Sequence, residues 1–506
     1  MKWPLLLSVS AATLVLCSAP LPSSASPPSS ASQGPPRADD QARRLLEDGR
    51  TDLANGRARQ GLDALQTIVT GFPNSAFADD ALLEMGRHAE EVEKNPTKAR
   101  EVYDQIAKRY PQSDSAPGAY LQMGLIAFKT AADQAAMDDA LANFQRVIRL
   151  YPESRFVPHA LVASAAVFRR GALYDSAIDA ARRAVLDYPG SDLAPEAQFE
   201  LALSLAMAGD TEHAMEEFQR VRTLYPSSAA AAHALNAVTA LYRLYGTDRP
   251  LFLKDPAFSV QAGDVLKDVR SMAITPDGTT WIASNKTKSA VSFDPAMKIG
   301  ASLAAEDPQT LSVSPQGDVV FAGKLAVRTG ATGVMAFSAP SDKPGIMEPI
   351  DRVGAATMMV SGDILVSDLK RKRVLRFRGD TFASVFPDRS EREVLKMVTT
   401  PRGEVVLLRK DDKSIEVYDT SGRLVLKLGP RGPGFEWKKP VDVTIDAFSN
   451  LYVADEDQGI FLFSQKGALM ATFGASDVKK SRAIAIDLTG AALVYDDRTE
   501  TIVRFK

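Results

Sequence analysis

Residues 99–113 read Ala-Arg-Glu-Val-Tyr-Asp-Gln-Ile-Ala-Lys-Arg-Tyr-Pro-Gln-Ser. Ala99, Tyr103 and Ile106 stand at positions 0, +4 and +7, one face of a helix, and Pro111 at +12 stops it. The same spacing returns in Gly61, Leu65, Ile68 and Pro73, and in Ala140, Phe144, Val147 and Pro152. It returns again in Ala177, Ala181, Ala184 and Pro189, and in Ala214, Phe218, Val221 and Pro226. Each proline follows an aromatic residue and precedes a serine by two positions, from Phe72-Pro73-Asn74-Ser75 to Tyr225-Pro226-Ser227-Ser228. The aromatic closes one helix, the proline prevents its continuation, and the serine is placed to N-cap the next. The aromatics are 38, 41, 37 and 37 residues apart, the length of a two-helix repeat. Such a unit cannot bury its apolar stripe alone and must stack on its neighbours. The pattern predicts an α-solenoid of ten to twelve helices over residues 40–246.

These turns resemble tetratricopeptide repeats, in the Tyr-Pro-x-Ser variety of bacterial envelope proteins of the BamD and CpoB kind. The resemblance covers residues 40–246 and implies a groove that binds protein or peptide. Ala181 replaces the usual bulky residue at +4, which predicts tighter packing in that repeat.

After Gly246 the helical period stops, and short alternating runs rich in Val, Ile, Phe and Thr take over. Turn landmarks at Gly278, Gly317, Gly362, Gly403, Asn450 and Gly490 are 39, 45, 41, 47 and 40 residues apart. They predict a six-bladed β-propeller of four-stranded blades over residues 251–506. Gly429 to Phe435 with Pro440 to Val443 and Asn450 to Asp455 resembles an NHL-repeat blade, and Ile364 to Asp368 echoes it. The last blade offers three strands, so Leu251 to Val260 is expected to supply its fourth and remove an open edge. Only Gly246 to Pro250 connects the two regions, which predicts that they touch.

At 506 residues the chain requires more than one core, and a net charge of −3 selects neither nucleic acid nor an anionic membrane as partner. Met1 to Ala25 reads as a secretory signal peptide cleaved after Ala25, followed by a Pro/Ser-rich linker over residues 26–39. Cys17, the only cysteine, lacks the small preceding residue of a lipobox, so plain export to the periplasm or beyond is preferred over a lipid anchor. No further segment reads as a transmembrane span.

The propeller region contains no histidine, whereas the amidating and streptogramin lyases of this general shape resemble one another in relying on channel histidines. Its inner strands show no Glu-Asn-Asp set of the gluconolactonase kind. The chain is therefore read as a non-catalytic envelope scaffold with no cofactor and no metal. A metal-dependent propeller hydrolase or lyase is the alternative. The four histidines are dispersed over the helical region without metal-site spacing.

The candidate docking surface lies on the loops between the second and third strands of the blades. There Lys370, Arg371, Lys372 and Arg373 make one side basic, and Asp455, Glu456 and Asp457 make the other acidic. Lys286, Lys288, Lys324 and Arg328 extend the basic side. Asp455 and Asp368 also read as ordinary turn caps.

Overall fold

The computed structural model describes residues 38–506 apart from 131–133, 249, 261, 305, 316, 326, 330–332, 342–344 and 388–391. The signal peptide, its cleavage site and Cys17 lie outside the described residues. Of the linker only Ala38 and Asp39 are described, and they begin the first helix.

Eleven helices are described: α1 (Ala38–Ala54), α2 (Ala58–Gly71), α3 (Ala78–Glu91), α4 (Pro96–Arg109), α5 (Ala116–Lys129), α6 (Gln134–Leu150), α7 (Val157–Arg170), α8 (Tyr174–Asp187), α9 (Ala194–Ala208), α10 (Thr211–Leu224) and α11 (Ala229–Tyr245). The aromatic before each proline ends its helix as expected. Phe72, Tyr110, Tyr188 and Tyr225 are C-caps with φ near −130° and ψ near 51°. The serines differ from expectation. Ser75, Ser154 and Ser191 each accept a hydrogen bond from the N–H two residues on, tightening a turn ahead of the helix. Ser228 is a true N-cap, accepting from Ala231 N at 3.2 Å. Where the linking turn adds residues before the helix, the serine lies too early to reach its first free N–H groups.

The described residues divide into two compact units, one of residues 38–129 and 134–167, the other of Thr130 and Phe168–Lys506. In the first, the repeated positions Leu65, Ile68, Tyr103, Ile106, Phe144 and Val147 are fully buried. The bulky +4 residue requires a glycine opposite it. A Cβ at Gly86 would lie 2.4 Å from the Tyr103 ring, and one at Gly124 would lie 2.5 Å from Phe144. The turn tyrosines also bond from repeat to repeat: Tyr110 Oη donates to the Pro73 carbonyl at 2.8 Å, and Tyr151 Oη to that of Pro111 at 2.7 Å. Pro73 and Pro111 carry no N–H of their own, but their carbonyls serve as rungs.

The second unit contains α8–α11 and the propeller. Ala177, Ala181 and Ala184 of α8 are buried, and Phe218 packs on Phe199 with ring centroids 5.3 Å apart. Beyond α11, five antiparallel meanders of four strands span residues 269–304, 310–335, 353–385, 394–428 and 440–473. A sixth sheet, residues 481–505, has three strands.

The expectation of six four-stranded blades is thus corrected to five, plus a three-stranded sheet. Leu253 and Asp255 do bond the outer strand of that sheet, through Leu253 N to Lys506 O, Lys506 N to Leu253 O and Asp255 N to Arg504 O. This pairing amounts to one isolated bridge, Lys254 to Phe505, because Pro256 cannot donate and ends the ladder.

In four of the blades, and in the three-stranded sheet, the residue closing the first hairpin turn is a glycine with left-handed φ: Gly278, Gly317, Gly362 and Gly403 in the blades and Gly490 in the three-stranded sheet. In the fifth blade Ser449 takes that conformation at φ 63°, so the landmark there falls one residue before Asn450. Asp446 makes this tolerable by accepting from Phe448 N and Asn450 N, both at 2.9 Å.

Helices α9 and α11 bond the propeller face that carries these turns. Arg243 Nη1 donates to the Thr489 carbonyl at 2.5 Å, and Gln465 Nε2 to that of Met207 at 3.1 Å. Gly490 leaves room for Ala240, whose Cβ is 3.0 Å from where a Cβ on the glycine would stand.

Candidate interaction surfaces and the propeller channel

Strand register decides the fate of the acidic half of the expected docking surface. The second strands of the six sheets end at Ser284, Ala322, Asp368, Arg409, Asp455 and Asp496, paired with Val269, Thr310, Val353, Val394, Pro440 and Ser481 of the first strands. A carboxylate at this position sits under the loop that follows. Asp455 is fully buried and accepts from the backbone N–H of Lys438, Lys439, Asp457 and Gln458. Asp496 repeats this with Lys479, Lys480 and Arg498, and Asp368 with Lys370 and Arg371. Asp455 is therefore a loop staple and is removed from the docking surface. Its reading as a turn cap is the one that holds.

Glu456 is also buried, paired with Lys439 and lying 3.6 Å from Lys480, and the Lys439 hydrogen bond holds its carboxyl below the usual range. It too leaves the surface. Asp457 is exposed.

The basic half is on the surface but largely self-neutralised. Lys370 pairs with Asp351, and Arg371 with Glu348 at 2.6 Å. Arg373 bonds Asp368 at 3.2 Å and the Pro340 carbonyl at 2.7 Å. Lys372 is exposed and 3.9 Å from Asp411. The hairpin Ser338–Pro340 with Met347–Pro349, inserted between the second and third blades, supplies part of this neutralisation. The charges along one loop are visible in the chain, whereas those arriving from the next segment are set by the fold.

Two charged networks escaped the sequence reading. In the fourth blade Arg409 occupies the position of Asp455 and is fully buried on Glu416 at 2.8 Å. Glu416 also accepts from Arg392, Lys427 and Tyr418. Burial opposes its charge, yet the hydrogen bonds from Arg409 and Tyr418 bring its carboxyl down to about 2.

The other network circles the channel. Ser271, Lys396 and Asp442 each stand four residues before the turn residues Thr275, Thr400 and Asp446, and so lie at one height on three inner strands. Lys396 Nζ donates to Ser271 Oγ at 2.6 Å and is 3.2 Å from Asp442 Oδ1. Asp442 accepts from Ile484 N at 3.0 Å, and Ser271 Oγ accepts from Leu311 N at 3.0 Å. Ser312 donates to the Ala356 carbonyl at 2.9 Å, and Thr357 and Thr399 share a bond of 3.0 Å. Each bond joins one inner strand to another, so the ring is tied from within.

Burial pushes the Asp442 carboxyl up, against the pull of Lys396. A serine 2.6 Å from a lysine has the spacing of an activated nucleophile. Here the lysine is engaged by Asp442, the serine by Leu311 N, and both are buried, which makes the pair a keystone of the ring. The signal available in the sequence was a single lysine inside the apolar run Val394 to Val398.

A cavity of about 130 Å³ opens over this layer, rimmed by Thr275, Asp446 and Asp487. Burial raises Asp446 to about 6. Among the described residues no group of three or more His, Cys, Asp and Glu side chains converges as a metal site. The histidines stay apart, with His213 on Asp210 at 2.8 Å, and His233 and His159 edge-on to Phe199 and Phe156. No described helix is long and apolar enough to cross a membrane.

Residues 38–167 match the family model YfiO, described as outer membrane lipoprotein, and residues 162–229 match a tetratricopeptide repeat model. No curated protein matches the chain. Among solved structures, a streptogramin B lyase aligns at 13% identity and TM-score 0.36, over 50% of this chain and 97% of its own. Virginiamycin B lyase from Staphylococcus aureus aligns at 13% identity and TM-score 0.34, over 48% of this chain and 81% of its own. Likenesses this low carry no argument about activity. The N-terminal region is a YfiO-like, tetratricopeptide-like helical array, and a β-propeller follows it.

Proposed function

We propose that this protein is an exported, non-catalytic scaffold of the cell envelope whose helical array and propeller bind protein partners. The observation that carries the reading is the match of residues 38–167 to an outer membrane lipoprotein family. Repeat arrays expose long surfaces to other chains, and the matched family is described as an outer membrane lipoprotein, which supports an envelope role. The leader-like Met1 to Ala25 accords with export.

The test is capture of a tagged full chain from envelope extract, identification of what is retained, and reconstitution with that partner purified. A saturable complex with a defined envelope protein is expected. Retention of nothing reproducible, together with turnover of lactone substrates by the purified chain when divalent metal is added, would replace the scaffold with the metal-dependent propeller hydrolase. With the partner in hand, reversing the exposed Lys370 and Lys372 to glutamate reports on the propeller loops. If they steer the partner, association slows at low salt and the difference fades as salt is added.

A further inference from the structure

A cleft of about 400 Å³ lies inside the second compact unit, between the ends of α9 and α11 and the turns of the fourth and fifth blades. That volume is within the range of sites that hold small ligands or short peptide segments. Met207, Leu241 and Phe448 line it and are buried, which makes an apolar floor. Tyr174 and Tyr245 add two phenols. Tyr174 reaches Gln465 Oε1 at 3.5 Å, and burial raises both hydroxyls above their usual range.

The charges at this cleft are uneven. Arg402 pairs with Glu404 at 3.2 Å, but its buried Nε has no hydrogen-bond partner. Lys466 projects an exposed ammonium at the rim. Two nearby acids are occupied, Asp446 by Asn450, Phe448 N and Tyr452, and Asp210 by His213. Lys466 adds a positive charge at the rim of an apolar floor, and the buried Arg402 Nε is a donor that meets no acceptor. A buried donor without an acceptor costs free energy until a ligand supplies one.

We infer that this cleft binds a peptide segment of a partner protein in which an acidic side chain neighbours an apolar one. The carboxylate meets Arg402 and Lys466, and the apolar side chain rests on Met207, Leu241 and Phe448. The inference rests on the scaffold reading and gives it a partner chemistry. It also supplies an acceptor to Arg402 Nε, the one buried nitrogen of that side chain without a hydrogen-bond partner.

The probe is a pool of fluorescein-labelled octapeptides in which Asp or Glu alternates with Leu, Ile or Phe, read by anisotropy against the full chain. A second pool replaces the acids by Lys and Arg. Saturable binding of the acidic pool alone is expected, weakened at least tenfold by Lys466→Glu and by Ala208→Trp. Ala208 is exposed at the cleft, so tryptophan there fills it without disturbing buried packing, and unchanged melting temperatures confirm that both variants fold. Equal binding of the two pools overturns the proposal, as does an acidic pool indifferent to both substitutions. Envelope partners still captured by the Ala208→Trp chain would also overturn it while leaving the scaffold intact.

Discussion

The helical repeats and the propeller blades are both repeats of about forty residues, yet they treat the repeated position differently. In the helices the same chemistry returns each time: Leu65, Tyr103, Phe144, Ala181 and Phe218 are all apolar or aromatic and fully buried. In the blades the inner position that begins with Ser271 becomes Thr310, Ala355, Lys396, Asp442 and Ala483 in turn. A helix pair packs mainly against its sequence neighbours, so one solution can be reused. A ring must also satisfy contacts across its axis, as Lys396 does when it reaches Ser271 from three blades away. Closure is what makes the blades unlike one another.

If closure depends on that layer, breaking it should have the largest effect. Asp442→Ala leaves Lys396 buried and without its carboxylate, and is expected to cost about 3–5 kcal/mol. Urea unfolding followed by tryptophan fluorescence should show this, since Trp281 and Trp437 lie in the propeller region and the remaining Trp3 lies outside the described residues. Pairing Asp442→Leu with Lys396→Met should recover most of the loss. If the double variant is no better than Asp442→Ala, the layer has a role beyond neutralising one charge.

The helical counterpart is steric. Gly86→Ala adds roughly 1 kcal/mol of helix propensity, but its Cβ would sit 2.4 Å from Tyr103. Overpacking of about 1–3 kcal/mol should win, and Gly86→Ala with Tyr103→Leu should relieve it. Stabilisation by Gly86→Ala alone would mean that the repeats adjust more freely than their close contacts imply.

Removing one rung is a smaller change. Tyr110→Phe deletes the hydroxyl bonded to Pro73 and should cost about 1 kcal/mol. Loss of hydrogen-exchange protection confined to α2–α4 is expected, because the rung joins only adjacent repeats. Loss spread over the whole first unit would give the helical array the cooperativity reserved here for the ring.

The smallest stability change, at Asp80, depends on pH and contrasts with Glu416 in the propeller. Burial and the neighbouring Asp79 raise Asp80 to about 6, so its folded form binds a proton that the unfolded chain releases near 4. Stability from this group is present below about pH 4 and lost as pH rises through about 6. Asp80→Asn should therefore stabilise by about 1 kcal/mol at pH 7, allowing for solvent screening of a partly exposed group, and have no such effect at pH 4. Glu416 has the opposite sign. Its stabilisation is present above about 4.5 and is lost as pH falls toward 2. Melting curves of Asp80→Asn and Glu416→Gln across this range should diverge in opposite directions.

Much of the architecture was legible in the chain. The helix ends at Tyr110 and Tyr225 and the turn glycines Gly278 and Gly403 follow from patterns spanning a few residues, and the use of residues near Leu253 follows from the strand the last sheet lacks. The candidate surface was legible only in part. Lys370 and Lys372 are exposed as expected, whereas Asp455 and Glu456, read from the same kind of loop, are buried. An aspartate ending a strand looks the same in sequence whether it faces solvent or folds back on four N–H groups.

The sequence by itself determined where helices stop, where strands turn and how often each unit repeats, because these depend on steric and conformational limits between residues close along the chain. The tertiary structure alone decided which charges meet. Lys396 and Asp442 are 46 residues apart, and Gln465 lies 258 residues from the Met207 carbonyl it bonds. Such pairs arise when the blades close and the last helices settle on their turns. No local propensity encodes them, since burial and ion pairing are properties of the space around a residue rather than of the chain on either side of it.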